Sequence, residues 1–150
     1  MSNHPSNDLT QFPPRSPRVR LGGYVILPRM LDKCRALLAG KNGEYNYACP
    51  LDQRFLTFTG VDPEALKAEV AKGKGDGELL AWIEENAPHQ RSEYDITLWS
   101  ALEEARVSKD AESRAFFQKL HEGVAPQRSD VGTWFDLLDL DDYVSYGGKA

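Results

Sequence analysis

Between Gly43 and Asp52 the chain reads GEYNYACPLD, which places Glu44, Tyr45, Tyr47, Cys49 and Asp52 within ten residues. These types can do chemistry. Cys49 precedes a proline that opens an apolar, helical-looking run, and a thiol at a helix N-terminus is placed for nucleophilic work. Glu44 and Asp52 can form an acid–base pair across the loop. Tyr45 and Tyr47 alternate, so an extended segment turns them opposite ways, one inward and one toward a ligand. Each feature also has a structural reading. Cysteine is among the most often buried residues, and a first-turn Asp52 stabilises its helix. Nucleophilic cysteine normally recruits a base, usually histidine, and the three histidines, His4, His89 and His121, are all distant in sequence.

A second group of residues lies just before this loop. From Arg15 to Lys41 there are seven basic residues, Arg15, Arg18, Arg20, Arg29, Lys33, Arg35 and Lys41, and Asp32 is the only acid among them. Arginine offers a planar fork that matches carboxylate or phosphate. Gly22-Gly23 lets backbone N–H groups approach an oxyanion, and a helix opening at Pro28 points its positive end nearby. The functional reading is therefore a small-anion site built from Arg18, Arg20, Arg29 and Lys33 with Tyr45 and Tyr47. In the competing reading this basic part docks on the acidic Asp136, Asp139, Asp141 and Asp142, within the chain or across a dimer. The glycine pair lacks the spacing of a phosphate loop or a dinucleotide fingerprint. The enzymatic version uses Cys49, Glu44 or Asp52 at the same place, with arginine as anion clamp.

The elements that must position these groups all read as helices. Pro28, Asp62-Pro63, Asp76, Ser92, Asp110 and Asp130 are start signals, and Gly40 and Gly60 are stops. Ser16-Pro17 looks like a further, short start. The apolar faces read as Leu31, Cys34 and Leu38, then Leu51, Phe55 and Phe58. They continue with Leu79, Leu80, Trp82 and Ile83, then Leu98, Ala101, Leu102 and Ala105, then Phe116, Phe117 and Leu120. The only β-like run, GYVIL, is brief. The fold class is all-α: a single compact bundle of about seven short helices over residues 15–150, preceded by an extended, flexible arm over residues 1–14.

Composition narrows the function classes. The 150 residues are 41% hydrophobic and 27% charged, which is ordinary for one globular domain. A net charge of -5 argues against general affinity for nucleic acid or anionic membranes. No apolar run approaches the ~20 residues of a spanning helix, and MSNHPSNDLTQ has neither the basic nor the apolar region of a secretory signal. Two cysteines in that context read as cytoplasmic thiols. The residue set predicts no metal cluster and no cofactor. Trp134 and Phe135, in TWFDLLDLDDY, must pack on the bundle or on a protein partner, including a second copy of the chain.

The strings RSPRVRLGGYVILPRMLDKCRALLAG, GEYNYACPLDQRF and TWFDLLDLDDY, with the terminal YGGKA, resemble a bacterial family described as a domain of unknown function, DUF5069. The resemblance runs from about Asp8 to Ala150. It implies one soluble bacterial domain that stands alone, and it assigns no catalytic residue.

Overall fold

In the computed structural model, which describes residues 8–150, seven helices follow one another. They are α1 (Leu27–Leu38), α2 (Pro50–Thr59), α3 (Pro63–Val70), α4 (Asp76–Asn86), α5 (Glu93–Ala105), α6 (Ala111–Val124) and α7 (Trp134–Ser145). Among the described residues there is no strand, only an isolated bridge between Leu21 and Tyr24. Of the arm expected over residues 1–14, the first seven lie outside the described residues. The rest runs along the body: Leu9 is buried, and its N–H donates to the Lys41 carbonyl at 2.9 Å.

The start signals act as helix chemistry requires. Asp62, Ser92, Asp110 and Thr133 each accept a bond from the backbone N–H three residues on, which satisfies a donor that the first turn leaves free. The last helix is capped by Thr133 rather than Asp130, and Asp136 returns a bond to the Thr133 N–H. Ser16-Pro17 opens no helix. Residues 15–26 are turns and bends, closed by paired backbone bonds between Leu21 and Tyr24. Gly22 and Gly23 form the tip of that turn with φ of 59° and 84°. A Cβ on Gly22 would lie 2.5 Å from Leu80, so turn geometry and close packing both demand glycine here.

The core gathers Val25, Ile26, Leu27, Met30, Leu31 and Cys34 with Phe55, Leu56, Leu66, Val70, Leu79, Ile83 and Phe135. Tyr24, Phe55, Phe58 and Trp99 add an aromatic cluster, in which Phe58 and Trp99 stack at 5.0 Å.

Two apolar faces differ from the sequence reading. In α5 the inward side is Ile96, Trp99, Ser100 and Glu103, while Leu98, Ala101, Leu102 and Ala105 are exposed. Polar groups explain the inversion. Ser100 Oγ donates to the Gly23 carbonyl at 2.6 Å and accepts from the Val25 N–H at 3.1 Å, and buried Glu103 is held by Arg54 and Arg106. In α6 only Phe117 turns inward, edge-on to Trp134 at 4.9 Å; Phe116 and Leu120 are exposed.

Candidate functional site

Arg29 and Lys33 sit four residues apart on α1 and therefore on one face of it. Both are buried, and each holds a carboxylate from another helix. Arg29 reaches Asp142 of α7 through both terminal nitrogens, at 2.7 and 3.3 Å. Lys33 Nζ lies 3.0 and 2.9 Å from the two carboxylate oxygens of Asp52 in α2. The same ammonium lies 3.1 Å from Cys49 Sγ. Tyr45 O–H donates to Asp142 at 2.7 Å, and its ring covers the Arg29 guanidinium at 5.5 Å.

Over this face opens a cleft of about 760 Å³ between α1, the 43–49 loop and the end of α7. Arg29, Lys33 and Cys49 contribute to its floor, and Glu44, Asn46, Asp141 and Ser145 stand exposed around it. Tyr146 closes one side, its hydroxyl donating to the Leu9 carbonyl at 2.5 Å. Among the described residues, the only non-glycine residues with positive φ are Ile26 (73°), at the start of α1, and Ala48 (58°), just before Cys49. A β-branched residue in that region is strained, although Ile26 does not itself line the cleft.

Burial governs the titration of these groups. It pushes the Asp52 carboxyl up from its ordinary range, which the Lys33 ammonium and the amides of Ala48 and Cys49 only partly offset. Burial raises Tyr45 too, and the bond to Asp142 adds to it, so this hydroxyl remains a donor. Asp141 is raised by its shielding and by the adjacent Asp142 charge. Burial weakens the Arg29 cation, but the bond and charge of Asp142 outweigh it and the guanidinium is held more firmly protonated.

The sequence candidates divide between this cleft and other places. Arg29, Lys33, Glu44, Tyr45 and Cys49 come together in it. Asp52 is fully buried and meets the cleft only through Lys33, so Glu44 and Asp52 do not form an open pair. Tyr47 turns the other way and donates to the Pro63 carbonyl at 2.8 Å. Arg18 and Arg20 lie elsewhere. Arg18 binds Asp136 and Asp139, at 3.1 Å to the latter, and Arg20 binds Glu104 at 3.0 Å. Much of the charge asymmetry is thus internal docking of basic on acidic segments. Neither His89 nor His121 lines the cleft. Phe135 is fully buried and Trp134 packs on Phe117 and Arg106, so this pair anchors α7 to its own chain.

Ser145 and Tyr146 were missed by sequence reasoning, and Asp141 and Asp142 were read only as acids on which the basic segment docks, not as part of a site. The run of aspartates was visible, but nothing in it said which one meets Arg29 across 113 positions. Among the described residues no group of three or more histidine, cysteine or carboxylate side chains is arranged to hold a metal ion. No helix of the described residues is long and apolar enough to cross a membrane. A family model described as a domain of unknown function, DUF5069, matches residues 11–144. No curated protein matches the chain.

Proposed function

The chain belongs to the DUF5069 family, and we propose that it binds a small ligand carrying one anionic group in the cleft over α1. The observation that carries this reading is the pair of buried ion pairs, Arg29–Asp142 and Lys33–Asp52, one helical turn apart on the cleft floor. A buried pair generally adds little stability over an apolar pair of the same volume, so packing alone gives no reason for two. Buried, mutually perturbed charges in a cleft are a mark of a binding or reacting site. Each cation already carries one carboxylate, so the two pairs are neutral and an anionic group would be held by hydrogen bonds from their remaining N–H donors. The exposed acids Glu44 and Asp141 suit hydroxyl or amino groups on the same molecule. Hydroxylated or amino-bearing carboxylates and phosphate monoesters fit this pattern.

A thermal-shift screen with inorganic phosphate, sugar phosphates, nucleotides, amino acids and hydroxy acids tests the reading. A ligand at about a hundred times its dissociation constant adds roughly 2.7 kcal/mol, several degrees in Tm for a domain of this size. Asn46→Trp, which fills the exposed mouth, is expected to abolish the shift. A panel without any shift, or a shift that survives Asn46→Trp, overturns the reading.

The contact between Cys49 Sγ and Lys33 Nζ favours a second reading. A small enzyme would use Cys49 as nucleophile, with the Lys33 ammonium in contact with its sulfur. Its check is alkylation: if native Cys49 reacts no faster than free cysteine at neutral pH, the thiolate version fails. Both cysteines are free, which suits a reducing, cytoplasmic setting.

A further inference from the structure

Tyr24 sits at the edge of the core, 5% exposed, with its ring edge-on to Phe55 and Trp99 at 5.1 and 6.1 Å. Its hydroxyl has no hydrogen-bond partner among the described residues. A phenol this buried usually finds one. Here the residue lines a cavity of about 500 Å³ between the 22–24 turn, the end of α4 and the start of α5. That volume lies within the roughly 300–1,000 Å³ of small-molecule sites. Burial and the Glu84 charge raise the hydroxyl from its ordinary range, and the Arg91 charge opposes them. The group therefore stays a proton donor, within the field of both charges.

Glu84, Arg91 and Glu93 line the same cavity. Other acids of α5 are engaged: Glu103 holds Arg54 and Arg106, and Glu104 holds Arg20. Glu84, Arg91 and Glu93 form no ion pair among the described residues. Arg91 is fixed by the core instead. Its Nε donates to the Phe58 carbonyl at 3.0 Å, and its guanidinium lies 4.4 Å over the Phe58 ring. Both terminal nitrogens are left without a partner, as a fork suited to a carboxylate. Ile83, Ala87 and Ile96 supply an apolar wall.

One cation, two acids, a neutral donor and an apolar wall select against simple ions. A pure anion meets Glu84 and Glu93, and a pure amine meets Arg91. A free amino acid carries both charges on one carbon and has no acceptor between them for Tyr24. The match is a molecule with opposite charges at its ends and an uncharged acceptor in the middle. We propose that this cavity binds a short peptide with free termini, a dipeptide of small aliphatic residues. Arg91 takes its carboxylate, Glu84 and Glu93 take its ammonium, and Tyr24 donates to its peptide carbonyl. The proposal is independent of the cleft over α1, because no residue lines both.

Isothermal titration with alanyl-leucine, leucyl-alanine and valyl-alanine tests the proposal. At least one is expected to bind with a dissociation constant below about 1 mM. Its N-acetyl and C-terminal amide forms each lack one charge and should bind at least about tenfold more weakly. Tyr24→Phe keeps the ring and breaks no hydrogen bond, so it should leave Tm unchanged and weaken the dipeptide about tenfold. Glu84→Gln, on an exposed side chain, should act in the same way. Asn46→Trp, which fills the mouth of the cleft over α1, should leave the titration as it is. The proposal is overturned if none of the three dipeptides binds, if the blocked forms bind as well as the free one, or if Tyr24→Phe and Glu84→Gln both keep wild-type affinity. Binding that Asn46→Trp abolishes also overturns it, since the peptide would then occupy the other cleft.

Discussion

On the α1 side of the molecule, charges are buried: Arg29, Lys33, Asp52 and Asp142 lie inside, paired across three helices. On the α5 side, apolar groups face water and charges are confined to the helix ends. Each side contradicts the usual rule of apolar inside and polar outside, and in opposite directions. A buried charge is tolerated only while its partner stays in place, so the first side should punish a single change severely. An exposed apolar group supports no internal contact, so the second side should tolerate change.

The largest expected effect comes from separating the two members of a buried pair. Asp142→Asn leaves the Arg29 guanidinium inside without its counter-charge and should cost about 3–5 kcal/mol in urea unfolding. The double variant Arg29→Met with Asp142→Leu sharpens the point. It removes both charges, and most of that loss should be regained while ligand stabilisation is not. A double variant as unstable as Asp142→Asn would mean that the pair serves stability itself.

A smaller effect depends on pH. Burial alone would raise the Asp76 carboxyl, but bonds from Arg15 and Arg35 outweigh it and hold it below the ordinary range. A carboxyl lowered in the folded state contributes stability that is complete above its unfolded value of about 3.9 and lost as pH falls through the folded one. The Tm gap between wild type and Asp76→Asn should be widest near neutrality and close below about pH 4.

The two thiols should differ in kind. Cys34 is fully buried, and burial pushes its thiol up to about 12, so it should resist alkylation until the chain unfolds. Cys49 is half-buried at the cleft and should react in the native protein; equal native rates would erase the contrast between core and cleft. The smallest effect belongs to the outer α5 face. Leu102→Asn should change monomer stability by no more than about 0.5 kcal/mol, as read by urea unfolding at low concentration.

Helix starts were legible because capping is local. Asp62, Ser92 and Asp110 announce themselves within four residues. The inward face of α5 was not legible, since apolar periodicity credits Leu98 and Leu102, while the side that turns in is fixed by Ser100 and Glu103 bonding to groups 49 to 77 positions away. For the same reason half of the cleft was visible. Arg29, Lys33, Tyr45 and Cys49 lie within a single stretch of the chain, whereas Asp142 and Tyr146 enter only when α7 folds back onto it. The Gly22-Gly23 pair suggested an anion cradle, and the turn with its Leu80 neighbour accounts for both residues.

The clasp between Arg29 and Asp142 spans 113 positions, and this separation also sets an order in time. During synthesis α1 exists well before its counter-charge. At roughly 5–20 residues per second, the ribosome needs about 6–23 s to add the intervening chain. Through that interval Arg18 and Arg29 lack the aspartates that neutralise them in the finished fold, and the nascent segment is a cationic one beside the most polyanionic surface in the cell. The arrival of α7 therefore does more than complete a helix bundle. It supplies the carboxylates that Arg18 and Arg29 lack until then, and with them one wall of the cleft over α1.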